Sequence, residues 1–185
     1  NPVYSKNNKK LIQKIENLIL KENLDEALNL VEDISTKKFN YYFLKGRIYQ
    51  DKKIDTEALI NYSIALQYKP NNYKTYNNRA LVKGSLKDLK GAMKDLNRSI
   101  EINPNYAESF INRGVTFNVL NEPEKAIKDF TNAIQIDPQI SDAYLNRAIT
   151  NQYLGNKDKV CPDLNKAQEL GNKEVISWIN ILCKK

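Results

Sequence analysis

Pro70, Pro104 and Pro138 stand 34 residues apart, and each closes a run of the same character: Ala65 to Tyr68, Ser99 to Ile102 and Ala133 to Ile136. A period of this length means one supersecondary unit repeated along the chain, so it constrains the fold before any other feature does. The register extends upstream of each proline. Ala58, Ala92 and Ala126 keep it, with Val160 substituted at the fourth place, and so do Tyr62, Leu96, Phe130 and Leu164. Aromatic residues recur at Tyr42, Tyr76, Phe110 and Tyr144, and small ones at Gly46, Ala80, Gly114 and Ala148.

These spacings are helical. In 107–140, Phe110, Gly114 and Phe117 fall on one helix face, and Ala126, Ile127, Phe130, Ala133 and Ile134 fall on a second. Two amphipathic helices joined by a short turn make a hairpin. Its small residues let two backbones approach, and its aromatics fill the space between hairpins. Proline ends the second helix because the residue before it disfavours the α region. One hairpin cannot bury both of its apolar faces, so neighbours must stack.

The order aromatic, small, aromatic, alanine, aromatic, alanine, proline over 34 residues resembles the tetratricopeptide repeat. The resemblance implies an all-α, right-handed α-solenoid of antiparallel helix hairpins. Residues 1–7 read as an N-terminal tail and 8–38 as a degenerate repeat, with Leu11, Ile15 and Leu18 on its first helix and Ala27, Leu28, Val31 and Ile34 on its second. The junction that follows is about three residues short of the period. Repeats are expected at 39–72, 73–106 and 107–140, and one lacking the terminal proline at 141–171. Residues 172–185, with Val175, Ile176, Trp178, Ile179, Ile181 and Leu182, read as a capping helix over the exposed end. Pro162 is out of place in a helix interior, which predicts a last-repeat helix that begins late, near Cys161, or bends there.

Composition narrows the chemistry. The chain has 185 residues, 41% hydrophobic and 28% charged, which suits a soluble globular protein. No stretch approaches the roughly 20 apolar residues of a membrane span, so no membrane insertion is expected. With two cysteines and no histidine, a structural zinc site and most nucleophile–base pairs are excluded. There is no phosphate-cradling glycine loop, so the chain reads as no enzyme, with no cofactor and no small-molecule substrate. The net charge of +7 is uneven. Segment 73–106 carries Lys74, Arg79, Lys83, Lys87, Lys90, Lys94 and Arg98 against three acidic residues, whereas 107–140 is net acidic. A basic segment admits RNA binding by a helical repeat as the alternative function, but the acidic repeat beside it and the lack of a repeated base-reading code put it second.

The leading function implied by the resemblance is a protein–protein interaction module, a scaffold or adaptor. It would hold an extended or helical partner segment in the concave groove lined by the first helices. The sixth residue of each repeat is Leu44, Asn78, Asn112 and Asn146. Three asparagines in register can hydrogen-bond both polar groups of a peptide backbone. The fifth and ninth positions supply Ile111 and Val115, then Leu145 and Ile149, with Val119 and Tyr153 beyond them as an apolar stripe. Earlier in the chain the same face carries Arg47, Lys74 and Asn77. The partner is therefore expected to have an apolar and an acidic part. The alternative is that the cap, with Trp178, folds over the stripe. The carboxylate clamp of heat-shock co-chaperones is not the match, since Phe43, Arg47, Glu108 and Asn112 stand where it needs other residues. Arg79, Arg113 and Arg147 recur with Asp95, Asp129 and Asp163 as ion pairs between the two helices of a repeat.

In an antiparallel hairpin about Gly171, Cys161 and Cys183 come level to within about 3 Å along the axis. They are thus candidates either for a disulfide or for two reduced buried thiols. A bridge would fit an oxidising compartment, and location stays open between cytoplasm and bacterial envelope. The abundance of Asn, Lys and Ile suggests an AT-rich, bacterial source.

Overall fold

Among the described residues six turns contain a residue in the left-handed backbone region, and four of these residues keep the 34-residue spacing: Lys53 (φ 60°), Lys87 (65°), Asn121 (59°) and Gly155 (75°). Glu22 (58°) and Gly171 (90°) complete the set. At each of the four periodic turns the next residue donates its N–H five residues back: Ile54 to the Tyr49 carbonyl, Asp88 to Lys83, Glu122 to Phe117 and Asn156 to Asn151, all at 2.9 Å. This 6→1 bond closes the first helix and reverses the chain. Only two of the six positions are glycine, so the turn is held by helix-end hydrogen bonds and packing more than by residue choice.

The computed structural model describes residues 2–183, and the side chains of 8–183. Among the described residues there are eleven helices and no strand: α1 (Pro2–Leu20), α2 (Leu24–Val31), α3 (Phe39–Asp51), α4 (Asp55–Tyr68), α5 (Tyr73–Ser85), α6 (Leu89–Ile102), α7 (Ala107–Val119), α8 (Pro123–Ile136), α9 (Ser141–Tyr153), α10 (Lys157–Glu169) and α11 (Val175–Leu182). Consecutive helices pack as antiparallel pairs, the arrangement of an α-solenoid. The chain forms two compact units, one running to Asp95 and one starting at Leu96, with the division inside α6.

In the first unit, α1, α2 and α3 share a core of Ile15, Ile19, Ala27, Val31, Ile34, Tyr41, Leu44 and Ile48. Tyr62 is wholly buried between α3 and α4, and a Cβ added at Gly46 would stand 2.6 Å from its ring. The second unit repeats the device with Gly114, whose added Cβ would stand 2.6 Å from the ring of buried Phe130. In both pairs the absence of a side chain on one helix makes the space for an aromatic on the other.

Several expectations need correction. The segment expected as a tail is helical, because α1 begins at Pro2; Asn1, Lys184 and Lys185 lie outside the described residues. Ile34 is buried but lies beyond the end of α2, packing from the connecting loop. The cap is shorter than 172–185, since α11 spans Val175–Leu182. Pro162 does not delay α10, which begins at Lys157 and passes through it. Burial of Val160, Leu164 and Ala167 along one face holds α10 together and offsets the roughly 3 kcal/mol that an interior proline costs.

Cys161 on α10 and Cys183 just past α11 form a disulfide, with Cα atoms 5.6 Å apart and 22 residues of separation. Its link limits the excursions of the last helix in the unfolded chain. Cys161→Ser/Cys183→Ser is expected to lower unfolding free energy by about 2 kcal/mol, read from urea melts of oxidised protein against the double variant. A mass gain on alkylation that appears only after reduction would confirm the bridge in solution.

Candidate interaction surface

The apolar stripe of the second unit is divided by what covers it. Val115 and Val119 on α7 are 40% and 63% exposed, and Ile149 and Tyr153 on α9 are 37% and 71% exposed. Ile111 and Leu145, expected beside them, are not free. Ile111 is 8% exposed and belongs to the core with Phe110, Phe130 and Ala143. Leu145 packs in the cluster that joins α9 and α10 to Val175, Ile179 and Leu182 of α11. Leu145 is thus half-buried in the cluster that α11 shares, while Val115, Val119, Ile149 and Tyr153 stay open.

The open part is bounded by polar groups held in place. Asn118 donates to the Thr150 hydroxyl (2.8 Å), which donates in turn to the Asn146 carbonyl (2.8 Å). The Tyr153 hydroxyl donates to Asn121 Oδ1 at 3.1 Å. A cavity of about 280 Å³ lies among Asn118, Asn121, Pro123, Ile149, Thr150 and Tyr153. These hydrogen bonds tie α7 and the turn after it to α9 across this face.

The three asparagines differ in what they can offer. Asn146 is half-buried and donates its Nδ2 to the Asp142 carbonyl one turn earlier on its own helix (2.8 Å). Asn78 accepts from Asn77 Nδ2 at 3.3 Å and lies beside the Tyr62 hydroxyl, which donates to Gln50 at 2.6 Å. Burial pushes the Tyr62 phenol well above the usual tyrosine range, against the pull of its hydrogen bond with Asn78. Asn112 is half-buried. Asn77, expected on the groove, is 3% exposed and does not reach it. Arg47 is half-buried and lines a first-unit cavity of about 590 Å³ with Leu20, Leu24 and Asp51; Lys74 is exposed.

The recurrent arginines are turned inward. Arg79, Arg113 and Arg147 each present Nε and Nη2 to one carboxylate, Asp95, Asp129 and Asp163, at 2.7–2.8 Å. The two hydrogen bonds that Arg147 donates to Asp163 push the guanidinium pKa above its already high ordinary value. Lys83 joins the Asp95 pair, and Arg98 meets Glu101 at 2.9 Å. Three of the seven basic side chains of 73–106 are therefore occupied by carboxylates, which weakens that segment as a phosphate-binding surface. Among the described residues there is no group of three acidic, histidine or cysteine side chains that could hold a metal, and no helix is long and apolar enough to cross a membrane.

Models of the tetratricopeptide repeat match residues 73–106 and 107–140. No curated protein sequence matches the chain. Among solved structures, it is similar to pilF of Pseudomonas aeruginosa, with a TM-score of 0.83 at 15% identity over 92% of this chain and 79% of that one. TTC0263 of Thermus thermophilus, described as a thermophilic TPR protein, gives 0.80 at 18% identity over 94% and 96%. YrrB, described as a TPR protein with an unusual peptide-binding site, gives 0.68 at 22% identity over 97% and 98%.

Proposed function

Because this chain belongs to the tetratricopeptide-repeat family, we propose that it serves as a protein-interaction module whose second unit holds a partner segment against the open face of α7 and α9. The observation that carries this reading is the set of four apolar side chains, Val115, Val119, Ile149 and Tyr153, that α11 leaves uncovered. Single exposed apolar residues are ordinary, but four on adjacent helices with an ordered polar rim mark a contact surface. Apolar residues of the segment would meet this stripe. Its backbone would bond the side-chain amides of Asn112 and Asn146, each bond adding about 0.5–1.5 kcal/mol. YrrB, with its peptide-binding site, is in keeping with this use of the fold.

The test is a peptide array probed with the purified chain, followed by affinities of the selected peptides. Ile149→Lys should weaken a selected peptide more than ten-fold, since it places a cation in the stripe. Asn112→Ala/Asn146→Ala should weaken it three- to ten-fold without changing the preference for apolar anchors. Peptides bound equally well by Ile149→Lys, or chosen with no regard to apolar content, would overturn the assignment.

A further inference from the structure

The second unit contains one chamber twice, once filled and once empty. In 107–140 the ring of Phe117 lies under two cations, 5.9 Å from the Arg113 guanidinium and 5.5 Å from the Lys125 ammonium. Arg113 is held there by Asp129 and by Asn97, to which its Nη1 donates at 2.8 Å. One period later Arg147 is held in the same way, by Asp163 and by Thr131 at 3.1 Å, and Lys159 occupies the place of Lys125. The residue in the place of Phe117 is Asn151. Against Asn151 there is a cavity of about 440 Å³ between α8, α9 and α10, lined also by Ile127, Arg147, Lys159 and Pro162 among others.

From this pairing we infer that the chamber takes up a tyrosine side chain of a partner polypeptide, its ring lying where Phe117 lies one repeat earlier. The space is ample, since a dry cavity of about 150 Å³ already admits benzene. The guanidinium of Arg147 is fixed by three hydrogen bonds, so its face is presented to a ring at no further ordering cost. The amide of Asn151 favours a phenol over a plain ring. It is 2% exposed, and its Oδ1 accepts from Asn156 at 3.1 Å, but its Nδ2 makes no hydrogen bond among the described residues. A phenol oxygen satisfies that donor, whereas a phenylalanine ring would seal it off unpaired. The chamber is separate from the stripe of Val115 and Ile149, so it does not depend on the function proposed for that face.

The experiment uses the whole oxidised chain, with NMR titration of p-cresol, toluene and N-acetyl-tyrosinamide, reading the side-chain amide of Asn151 and the methyl of Thr131. We expect p-cresol to shift both signals with Kd of about 1 mM, toluene to bind at least three-fold more weakly, and N-acetyl-tyrosinamide to bind at least as well as p-cresol. Asn151→Phe should fold, because it restores the side chain used at Phe117, and should weaken p-cresol more than ten-fold, read at Thr131. Asn151→Ala should keep ring binding and abolish the preference for p-cresol over toluene. Absence of shifts at about 20 mM p-cresol, or shifts that survive Asn151→Phe, would overturn the site. Binding of p-cresol without N-acetyl-tyrosinamide would overturn the polypeptide as its source.

Discussion

Asp129→Ala is expected to cost about 3 kcal/mol of folding stability, more than any surface substitution on the same helix. The carboxylate side chain is 4% exposed and receives both Nε and Nη2 of Arg113, whose own side chain is 20% exposed. Removing the acid strands a guanidinium between the rings of Phe110 and Phe117, 5.5 and 5.9 Å away, with only Asn97 among the described residues left to accept from it. Partial exposure of the arginine lets water recover part of the loss, which sets the expectation at the low end of the range for a broken buried pair. Arg113→Lys should cost nearly as much, because an ammonium cannot present two parallel donors to one carboxylate. Arg113→Met/Asp129→Leu should recover most of the loss, since an apolar pair leaves no charge stranded. Urea unfolding of the wild type and the three variants measures this, and a double variant that loses as much as Asp129→Ala would show that the stranded charge is not the cause of the loss.

Gly114→Val is expected to cost about 3 kcal/mol, although replacing glycine within an exposed helix normally stabilises it by up to about 1 kcal/mol. The sign reverses because the new Cβ falls 2.6 Å from Phe130 Cε1 and 2.9 Å from Cζ. That ring is wholly buried and cannot swing aside. Phe130→Leu in the same background should relieve the clash, so that the double variant is more stable than Gly114→Val alone. The repeats themselves suggest this outcome: glycine is paired with an aromatic sixteen residues on in Gly46/Tyr62 and Gly114/Phe130, and alanine with leucine in Ala80/Leu96 and Ala148/Leu164. If Gly114→Val is neutral and Phe130→Leu gives no rescue, the close approach of α7 and α8 is not what glycine secures.

Much of this architecture is legible in the residues because it is periodic. The helix hairpins, the Arg–Asp pairs and the small residue facing an aromatic all recur at one spacing, and a contact made in every repeat leaves its mark every 34 residues. The empty chamber at Asn151 carries the same kind of signal, since Tyr49, Lys83 and Phe117 are bulky at that place. It escapes a reading of the sequence because a missing side chain draws no attention until its surroundings are seen to persist. The left-handed turn residues keep the period as well, but Lys53, Lys87 and Asn121 do not advertise positive φ as glycine does.

What periodicity does not decide is exposure. The all-helical repeat, its phase and the residues that hold each pair of helices together follow from the order of residues alone, because these depend on contacts within a repeat or with a like neighbour. That Ile111 is core and Leu145 half-buried while Val115 and Ile149 are surface emerges only when the helices are packed. The same holds for the burial of Asn77 and for Pro162, which rides inside α10. Each of these outcomes turns on the neighbours that packing brings against a residue, and the last helix, α11, lies outside the 34-residue register that would announce its contacts.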